Sequence, residues 1–350
     1  MTQSIRDSIL MIEENSKKYI DQHIEVNRLF SLVDSQLEHF YNFQNKHVGK
    51  VRDIFILNDY VIIVTTDRQS AFNRIITSIP FKGQVLNMTS KWWFDATKHL
   101  VPNHLISCPH PNVTIAKKCK IFPIEFIMRG YLTGSTDTSI WTHYKNGERI
   151  YCGHTLPDGL IKNCKLESNL LTPTTKDDHD VPISKDEIIS KGIMSEKDFQ
   201  ICSQYAHKLF EFGVEESAKK GLILVDTKYE FGKDKFGNIL LVDEIQTPDS
   251  TRFWIKNSYQ DRFSKNLEPE NIDKDFFRKW FLNICDPYND AIIPHPPPEI
   301  INELSRKYII LYEIITGKNF DFSISSNSDS IKSALKDFLR KNNINPLQIV

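Results

Sequence analysis

Two apolar runs joined by a short polar segment constrain this chain more than any other part of its sequence. The first run covers residues 222–231 and the second covers residues 239–245, with Gly232 and Gly237 between them. Runs of this length, rich in β-branched residues and separated by glycines, predict a β-hairpin with a longer loop. Such a hairpin fixes where the side chains of both strands lie.

The first strand of this hairpin carries charged side chains at alternate positions. Successive strand side chains point to opposite faces, so Asp226, Lys228 and Glu230 share one face. Asp243 ends the apolar part of the return strand, and a suitable register would add its carboxylate to that face. Two interpretations are open: a solvated face with salt bridges, or carboxylates that bind Mg²⁺ together with phosphate oxygens.

The segment that follows the hairpin favours a ligand site. Residues 246–254 read QTPDSTRFW, which places a turn, hydroxyl groups and the guanidinium of Arg252 directly after Asp243. A guanidinium suits bidentate capture of phosphate or carboxylate. A second segment, RGYLTGS at residues 129–135, combines Arg129 and Ser135 with glycines that let the backbone approach a ligand, and indicates an anion-binding corner.

These segments carry a family resemblance. VDTKYEFG at 225–232 and LVDEIQTPDSTRFW at 241–254 closely resemble the phosphoribosylaminoimidazole-succinocarboxamide synthase (SAICAR synthetase) family of purine biosynthesis. RGYLTGS is similar to the substrate motif of that family, and GKVRDIF at 49–55 is similar to its phosphate-covering strand. The resemblance covers roughly residues 47–317.

The resemblance and the local patterns together imply an α+β fold of the SAICAR synthetase type. We expect four parts: residues 1–44, an N-terminal helical extension; 45–122, a β-rich, antiparallel-sheet subdomain that binds ATP phosphates; 123–255, a larger mixed α/β central subdomain that binds nucleotide and substrate and carries the hairpin; and 256–350, a helical C-terminal region. Periodicity also predicts helices within residues 184–220, 276–280, 300–315 and 331–339.

Two local expectations are less tied to the resemblance. Six apolar residues follow helical spacing in the extension and predict a core stripe or a seam for a partner helix: Val26, Leu29, Phe30, Val33, Leu37 and Phe40. Ile5, Ile9 and Ile12 indicate an earlier helix. Residues 147–183 lack periodicity and read as a long loop, whose LTPTTKDDHD segment at 171–180 suits a lid that closes on substrate.

The activity implied by the resemblance is ATP- and Mg²⁺-dependent ligation. L-aspartate is joined to carboxyaminoimidazole ribonucleotide (CAIR), which gives the succinocarboxamide ribonucleotide (SAICAR), ADP and phosphate. A small-molecule kinase is an alternative, although the chain lacks the HRD and DFG motifs of protein kinases. A non-catalytic ATP-binding relative of the family is a second alternative.

The resemblance also implies roles for individual residues. The predicted catalytic residues are Lys228, beside the reacting carboxylate, and Asp226 and Asp180, either of which could deprotonate the amine of aspartate. The predicted ATP-binding residues are Lys50, Arg52, Glu230 and Asp243, of which Glu230 and Asp243 are also the predicted Mg²⁺ ligands. The predicted substrate-binding residues are Ser70, Asn73, Arg129, Ser135, Lys176 and Arg252.

One position departs from the family pattern. The family usually reads S-A-F/Y-D where this chain reads SAFN at residues 70–73. An amide at Asn73 offers hydrogen bonds but no charge. If the usual aspartate only positions substrate, Asn73 should serve and the chain should be an active ligase. If the charge is required, the chain should be slow or inactive unless a nearby acid such as Asp67 substitutes.

Composition excludes several other classes. The net charge is −1, from 44 basic and 45 acidic residues, so the chain as a whole predicts no nucleic-acid partner. The six cysteines form no C-x-x-C pair, which argues against a zinc site and a disulfide scaffold. No run is long and apolar enough to span a bilayer, and the N-terminus lacks an apolar signal region, so we expect a cytoplasmic protein without a membrane partner. The oligomeric state, monomer or homodimer, stays open.

Overall fold

The computed structural model describes residues 19–37, 45–57, 59–176 and 180–342. These residues divide into two compact units. Unit 1 is drawn from Met1–Trp92, His104–Lys118 and Trp280–Val350, and unit 2 from Trp93–Asn103 and Cys119–Lys279. The four-part division predicted from the sequence stays a prediction, because the two units group the chain more coarsely.

Unit 1 is built on an antiparallel sheet of five strands in the order β1-β2-β3-β7-β6. The strands are β1 (Asn45–Val48), β2 (Arg52–Leu57), β3 (Tyr60–Thr65), β6 (Leu105–His110) and β7 (Val113–Lys117). β4 (Arg68–Ala71) and β5 (Arg74–Ser78) form a separate two-stranded sheet. β2 and β3 pair antiparallel, in agreement with the antiparallel sheet predicted for this part of the chain.

Helix α9 (Ser328–Lys341) supplies apolar side chains to the core of this sheet. Ile331, Leu335 and Leu339 repeat every four residues and therefore lie on one side of the helix. They pack with Phe55 of β2 and other buried sheet residues. Burial of apolar surface, worth about 25 cal/mol per Å², holds the helix against the strands.

Unit 2 is organised around the 12-residue strand β14 (Leu222–Lys233). Strands β8 and β9 pair with one edge of β14, and strands β16 and β15 pair with the other. Their bounds are β8 (Lys120–Ile121), β9 (Ile124–Tyr131), β15 (Ile239–Val242) and β16 (Thr251–Ile255). The predicted hairpin is confirmed as β14 and β15, although β15 ends earlier than the apolar run.

The predicted long loop at residues 147–183 is wrong. The described residues of this range contain four strands: β10 (Ile150–Tyr151), β11 (His154–Thr155), β12 (Lys165–Leu171) and β13 (Thr174–Thr175). Both β12 and β13 pair with β9. Polar residues interrupt the alternation of apolar and polar positions in β12 and β13, so the sequence gives no strand signal there. Both segments become strands by pairing with the distant strand β9. β9 also continues through Tyr131, so Arg129 lies within the strand and not at its end.

The helical stripe predicted in the extension is also wrong. The described part begins with helix α1 over residues 19–27, continues as a 3-10 turn at Arg28–Phe30, and is extended over residues 31–37. Val26, Phe30 and Val33 are 65%, 70% and 52% exposed. The buried residues are instead Ile20 and Ile24 on α1, and Leu32 and Leu37 on the extended segment. Phe40 and the earlier helix at residues 5–12 lie outside the described residues.

The remaining helix predictions are confirmed. The helices are α2 (Lys82–Thr97), α3 (Ile140–Lys145), α4 (Lys185–Ser190), α5 (Glu196–Lys219), α6 (Lys256–Ser264), α7 (Asp275–Leu282) and α8 (Pro298–Thr316), followed by α9. Ser184 and Glu187 form a reciprocal capping box at the start of α4. Within the described residues, every helix is too short or too polar to cross a membrane.

Candidate active site

Asp226 lies between two arginines because of strand register. On β14 it is paired with Arg129 of β9 on one side and with Arg252 of β16 on the other. Arg129 Nη1 lies 3.2 Å from Asp226 Oδ2, and Arg252 Nη1 donates to the same oxygen. Three neighbouring strands thus place two guanidiniums around one buried carboxylate.

Ser135 and Asp275 complete this group. Ser135 Oγ donates to Asp275 Oδ1 over 2.7 Å, and Arg252 Nη2 lies 3.8 Å from the same oxygen. We call Arg129, Ser135, Asp226, Arg252 and Asp275 the arginine cluster. Burial opposes the charge of Arg252, but Asp226, Asp275 and Asp273 outweigh it and raise the pKa of its guanidinium. The cluster therefore keeps a fixed positive group in a buried place, as an anion site requires.

The loop that carries Ser135 depends on a glycine. Gly134 has φ +140°, and a Cβ added there would lie 2.2 Å from the Cβ of Ser139. No other residue fits this position without moving the start of α3. Arg129 is held separately, because its Nε donates to Thr172 Oγ1 over 2.8 Å.

A second group lies further along the same strand. Lys228 Nζ donates to Glu125 Oε1 over 2.8 Å and to Glu230 Oε1 over 2.7 Å. Lys176 Nζ contacts the other carboxylate oxygen of Glu230. We call Glu125, Lys176, Lys228 and Glu230, with the nearby Asp180 and Asp243, the lysine cluster. The short contact between Lys228 and Glu230 confirms that they share one face of β14.

Acidic side chains dominate the electrostatics of the lysine cluster. Burial would lower the pKa of Lys228, but Glu230, Glu125 and Asp243 outweigh it and raise that pKa well above its usual value. Burial raises the pKa of Glu125, against the charge of Lys228 and with added repulsion from Glu230 and Asp180. These carboxylates therefore favour the charged form of Lys228.

Asp243 reaches this cluster by a route that strand alternation does not predict. β15 ends at Val242, opposite Glu230, and Asp243 follows it with φ +62°. Aspartate tolerates this left-handed conformation better than most residues. The register expected from the sequence therefore does not position Asp243, although its charge acts on Lys228.

The donor set suits a hard divalent cation. Glu230 and Asp243 supply carboxylate oxygens, the ligands that Mg²⁺ prefers together with phosphate oxygens. Both oxygens of Glu230 contact ammonium groups, so this carboxylate already attracts cations. In the described parts of the chain, no three His, Cys, Asp or Glu side chains form a group that could hold a metal alone. A cation there would need oxygens from a ligand as well.

Unit 1 holds four of the predicted site residues. Lys50 Nζ donates to Asn73 Oδ1 over 2.8 Å. Phe72 and Asn73, with φ of 52° and 59°, form the two-residue turn between β4 and β5. Two positive φ values define a type I′ turn, which favours asparagine. Ser70 is buried on β4 just before this turn, and Arg52 begins β2.

The suggestion that Asp67 replaces the missing acid is wrong. Asp67 is buried, and its two carboxylate oxygens accept hydrogen bonds from the backbone N–H groups of Leu32 and Gly83. It holds the extended segment of the extension against the start of α2. Its carboxylate is therefore part of the fold of unit 1 and is not exposed to a ligand.

The predicted lid is described only at its two ends. Lys176 contacts Glu230, and the charge of Asp180 acts on Glu125, so both ends belong to the lysine cluster. His179 and the rest of 177–179 lie outside the described residues. Sequence reasoning missed Glu125 and Asp275. Alternation along β9 puts Glu125 on the face of Arg129 and could have found it, whereas no local signal connects Asp275 to Ser135.

Comparisons with known proteins show similarity to one family. A family model described as SAICAR synthetase matches residues 45–294. The chain is 60% identical over 292 residues to the phosphoribosylaminoimidazole-succinocarboxamide synthase of Legionella pneumophila (strain Paris), covering 83% of this chain and 92% of that protein.

Two solved structures are similar as well. The SAICAR-synthase from Saccharomyces cerevisiae complexed with SAICAR has a TM-score of 0.70 at 30% identity, and the match covers 83% of this chain and 100% of that one. A SAICAR synthetase (Type-2) in complex with ADP has a TM-score of 0.61 at 26% identity, with 79% and 100% coverage. The chain belongs to the SAICAR synthetase family.

Proposed function

We propose that this chain joins L-aspartate to CAIR with consumption of ATP, giving SAICAR, ADP and phosphate in de novo purine biosynthesis. Family membership supports the reaction. The observation that carries the residue assignment is the position of Asp226 on the central strand β14. Arg129 and Arg252 lie opposite it on the two flanking strands, and Lys228 and Glu230 follow it along β14.

The arginine cluster binds the phosphate of CAIR. Guanidiniums present N–H groups in a planar fork that matches phosphate oxygens, and Arg129 and Arg252 are both fixed by Asp226. Ser135 adds a hydroxyl. Asp226 is engaged by two cations, so its role in holding the arginines is better supported than its predicted role as a base.

The lysine cluster receives the reacting carboxylate of CAIR and the phosphates of ATP. Lys228, whose charged form Glu125 and Glu230 favour, attracts the carboxylate to be activated. Glu230 and Asp243 would hold Mg²⁺, which supplies positive charge to the transferring phosphoryl group when it is bound. For this, Lys176 leaves Glu230, and its half-exposed side chain leaves room for such a movement.

Lys50 and Arg52 contact the ATP phosphates, and Ser70 and Asn73 contact substrate.

A free carboxylate is a poor acyl donor, so ATP converts the carboxylate of CAIR into an acyl phosphate that the amine of aspartate attacks. This step requires positioning and charge neutralisation more than covalent help from the protein. The amine attacks as a free base, and the exposed Asp180 is the better-placed carboxylate to accept its proton.

The test is ADP release measured with each substrate omitted in turn. Release that requires CAIR and aspartate together, with SAICAR formed in equal amount, supports the ligase. Release with CAIR alone and a stable phosphorylated product would indicate the small-molecule kinase. Binding of ATP without turnover under all conditions would indicate the non-catalytic relative.

The small molecules CAIR and L-aspartate are the partners that this reaction needs. We expect no nucleic-acid or membrane partner. A cytoplasmic location and the choice between monomer and homodimer stay predictions, and cell fractionation and light scattering test them.

A further inference from the structure

Asp275 contacts two of the groups that hold the substrate anion. It is a buried residue in the first turn of α7. Its Oδ1 accepts the hydroxyl of Ser135 over 2.7 Å and lies 3.8 Å from Arg252 Nη2. Its Oδ2 lies 3.1 Å from Lys279 Nζ. One carboxylate thus connects α7 to the loop of Ser135 and to the guanidinium of Arg252.

The location of Asp275 is itself fixed. Its backbone N–H donates to Asp273 Oδ1 over 2.7 Å, and the N–H of Phe253 donates to Asp273 Oδ2 over 2.7 Å. Asp273 therefore joins the start of α7 to β16, one residue from Arg252. Burial opposes ionisation of Asp275, but Arg252, Lys279 and the hydrogen bond from Ser135 outweigh it and lower its pKa. These contacts therefore favour the charged form of Asp275.

Arg252 consequently lies between two carboxylates. Asp226 accepts a hydrogen bond from its Nη1, and Asp275 forms an ion pair with its Nη2 at 3.8 Å, so a carboxylate lies at each end of the guanidinium. A side chain held in its binding orientation before the ligand arrives loses less conformational entropy on binding. The hydroxyl of Ser135 can rotate about its Cβ–Oγ bond and turn its proton from Asp275 to an arriving phosphate oxygen.

We propose that Asp275 is a positioning residue for the substrate phosphate, which orients Arg252 and holds Ser135 beside it. The proposal rests on the proposed function, in which Arg252 and Ser135 bind CAIR. It assigns to the first turn of α7 a role that the binding motifs at residues 129–135 and 246–254 do not include.

Simple electrostatics and positioning predict opposite results when this charge is removed. Asp275 carries the same sign of charge as phosphate, so its loss would strengthen CAIR binding if charge alone mattered. Positioning predicts weaker binding, because Arg252 loses one of the two carboxylates that orient it. The direction of the change therefore separates the two effects.

The experiment is steady-state kinetics on Asp275→Asn and Asp275→Glu, with CAIR, ATP and aspartate each varied. We expect the KM for CAIR to rise roughly tenfold in Asp275→Asn, the size of one charge-assisted contact, with little change in the KM for ATP. Asp275→Glu keeps the charge but displaces it by one methylene, so it raises the KM for CAIR too. Asp261→Asn, which removes the same charge from an exposed site on α6, is the matched control and leaves all three KM values unchanged.

A double variant shows whether Asp275 acts through Arg252. In an Arg252→Ala background, adding Asp275→Asn should raise the KM for CAIR clearly less than it does in the wild-type background, because contacting residues are not additive and only the contact with Ser135 is left to lose. A rise in the KM for CAIR as large as in the wild-type background would overturn the proposal.

An unchanged or lower KM for CAIR in folded Asp275→Asn would also overturn it. Should that variant fail to fold, an unchanged KM in Asp275→Glu has the same meaning. If Arg252→Ala alone leaves the KM for CAIR unchanged, the pocket assignment of the proposed function is wrong and this inference is wrong with it. That result is distinguishable from failure at Asp275 alone.

Discussion

The arginine cluster and the lysine cluster occupy the same face of the same strand but have opposite compositions. At Asp226 a carboxylate is surrounded by guanidiniums, whereas at Lys228 an ammonium is surrounded by carboxylates. Asp226 and Glu230 lie four positions apart along the strand, or about 13 Å at about 3.3 Å per residue. One strand face therefore carries a guanidinium-rich group and a carboxylate-rich group, to which the proposed function assigns an anion site and a cation site.

The two clusters also differ in how they are held. Asp226 is fixed by ladder register on both sides and is buried. The lysine cluster includes Lys176, whose side chain is 43% exposed, and the exposed Asp180. In the proposed function, the anion site is formed before substrate binds, and the cation site changes partners when ATP and metal arrive.

The largest expected effect is at the cation site. Asp243→Asn should lower ATP turnover roughly 100-fold, about 3 kcal/mol in the barrier, because an amide replaces an anionic ligand for Mg²⁺. The measurement is turnover as a function of Mg²⁺ concentration, with the KM for CAIR determined in parallel. Near-normal turnover at low Mg²⁺ in the folded variant would contradict the metal assignment.

A buried carboxylate held mainly by backbone groups should behave differently from Asp275. Burial raises the pKa of Asp67 from 3.8 to about 6, although hydrogen bonds from Gly83 and Leu32 and the charge of Lys82 oppose it. The folded protein therefore binds this proton more tightly than the unfolded chain. The contribution of Asp67 to the free energy of unfolding is greatest below the pKa of the unfolded chain, and it is lost as pH rises through the pKa of the folded protein.

The corresponding prediction compares wild type with Asp67→Asn. The free energy of unfolding of the wild type should fall relative to the variant by about 3 kcal/mol as pH rises from about 4 to about 6. Denaturant melts across this range measure it. A difference that stays constant, or that changes in the other direction, would show that Asp67 does not have a raised pKa.

Smaller effects are expected at the anion site, where several groups share the ligand. Arg252→Ala and Arg129→Ala should each raise the KM for CAIR about tenfold or more, since a charge-assisted contact contributes about 1.5–3 kcal/mol. The KM for ATP should change much less. Equal losses for CAIR and ATP in steady-state kinetics would show that the two clusters are assigned to the wrong ligands.

The smallest effect is expected at Asn73. Its amide oxygen accepts a hydrogen bond from Lys50 in a turn that requires positive φ, and aspartate can do both. Asn73→Asp should therefore change turnover only several-fold, about 1 kcal/mol in the barrier. Kinetics with both substrates varied test this. A wild type without ligase activity that the aspartate restores would favour the non-catalytic interpretation.

The sequence predicted the parts of the site that depend on local periodicity. Asp226, Lys228 and Glu230 are within one strand, and alternation alone places them on one face. The motif blocks located Arg129, Ser135 and Arg252 as well. What could not be predicted is which residues from distant segments meet them.

Asp275 illustrates that limit. Asp275 contacts Ser135, which is 140 residues earlier in the chain, and no local pattern specifies this pair. Asp243 depends on a left-handed backbone after β15, which periodicity does not encode. The same holds for β12, whose polar sequence becomes a strand through its pairing with β9.

The most direct test of the account is a crossed binding measurement by titration calorimetry. Wild type, Arg252→Ala and Asp243→Asn are each titrated with CAIR and, separately, with ATP in the presence of Mg²⁺. If the two sites are separate, Arg252→Ala weakens the binding of CAIR and leaves the binding of ATP unchanged. Asp243→Asn then weakens the binding of ATP and leaves the binding of CAIR unchanged. Loss of both ligands in both variants, with the fold intact, would contradict two separate sites on one strand face.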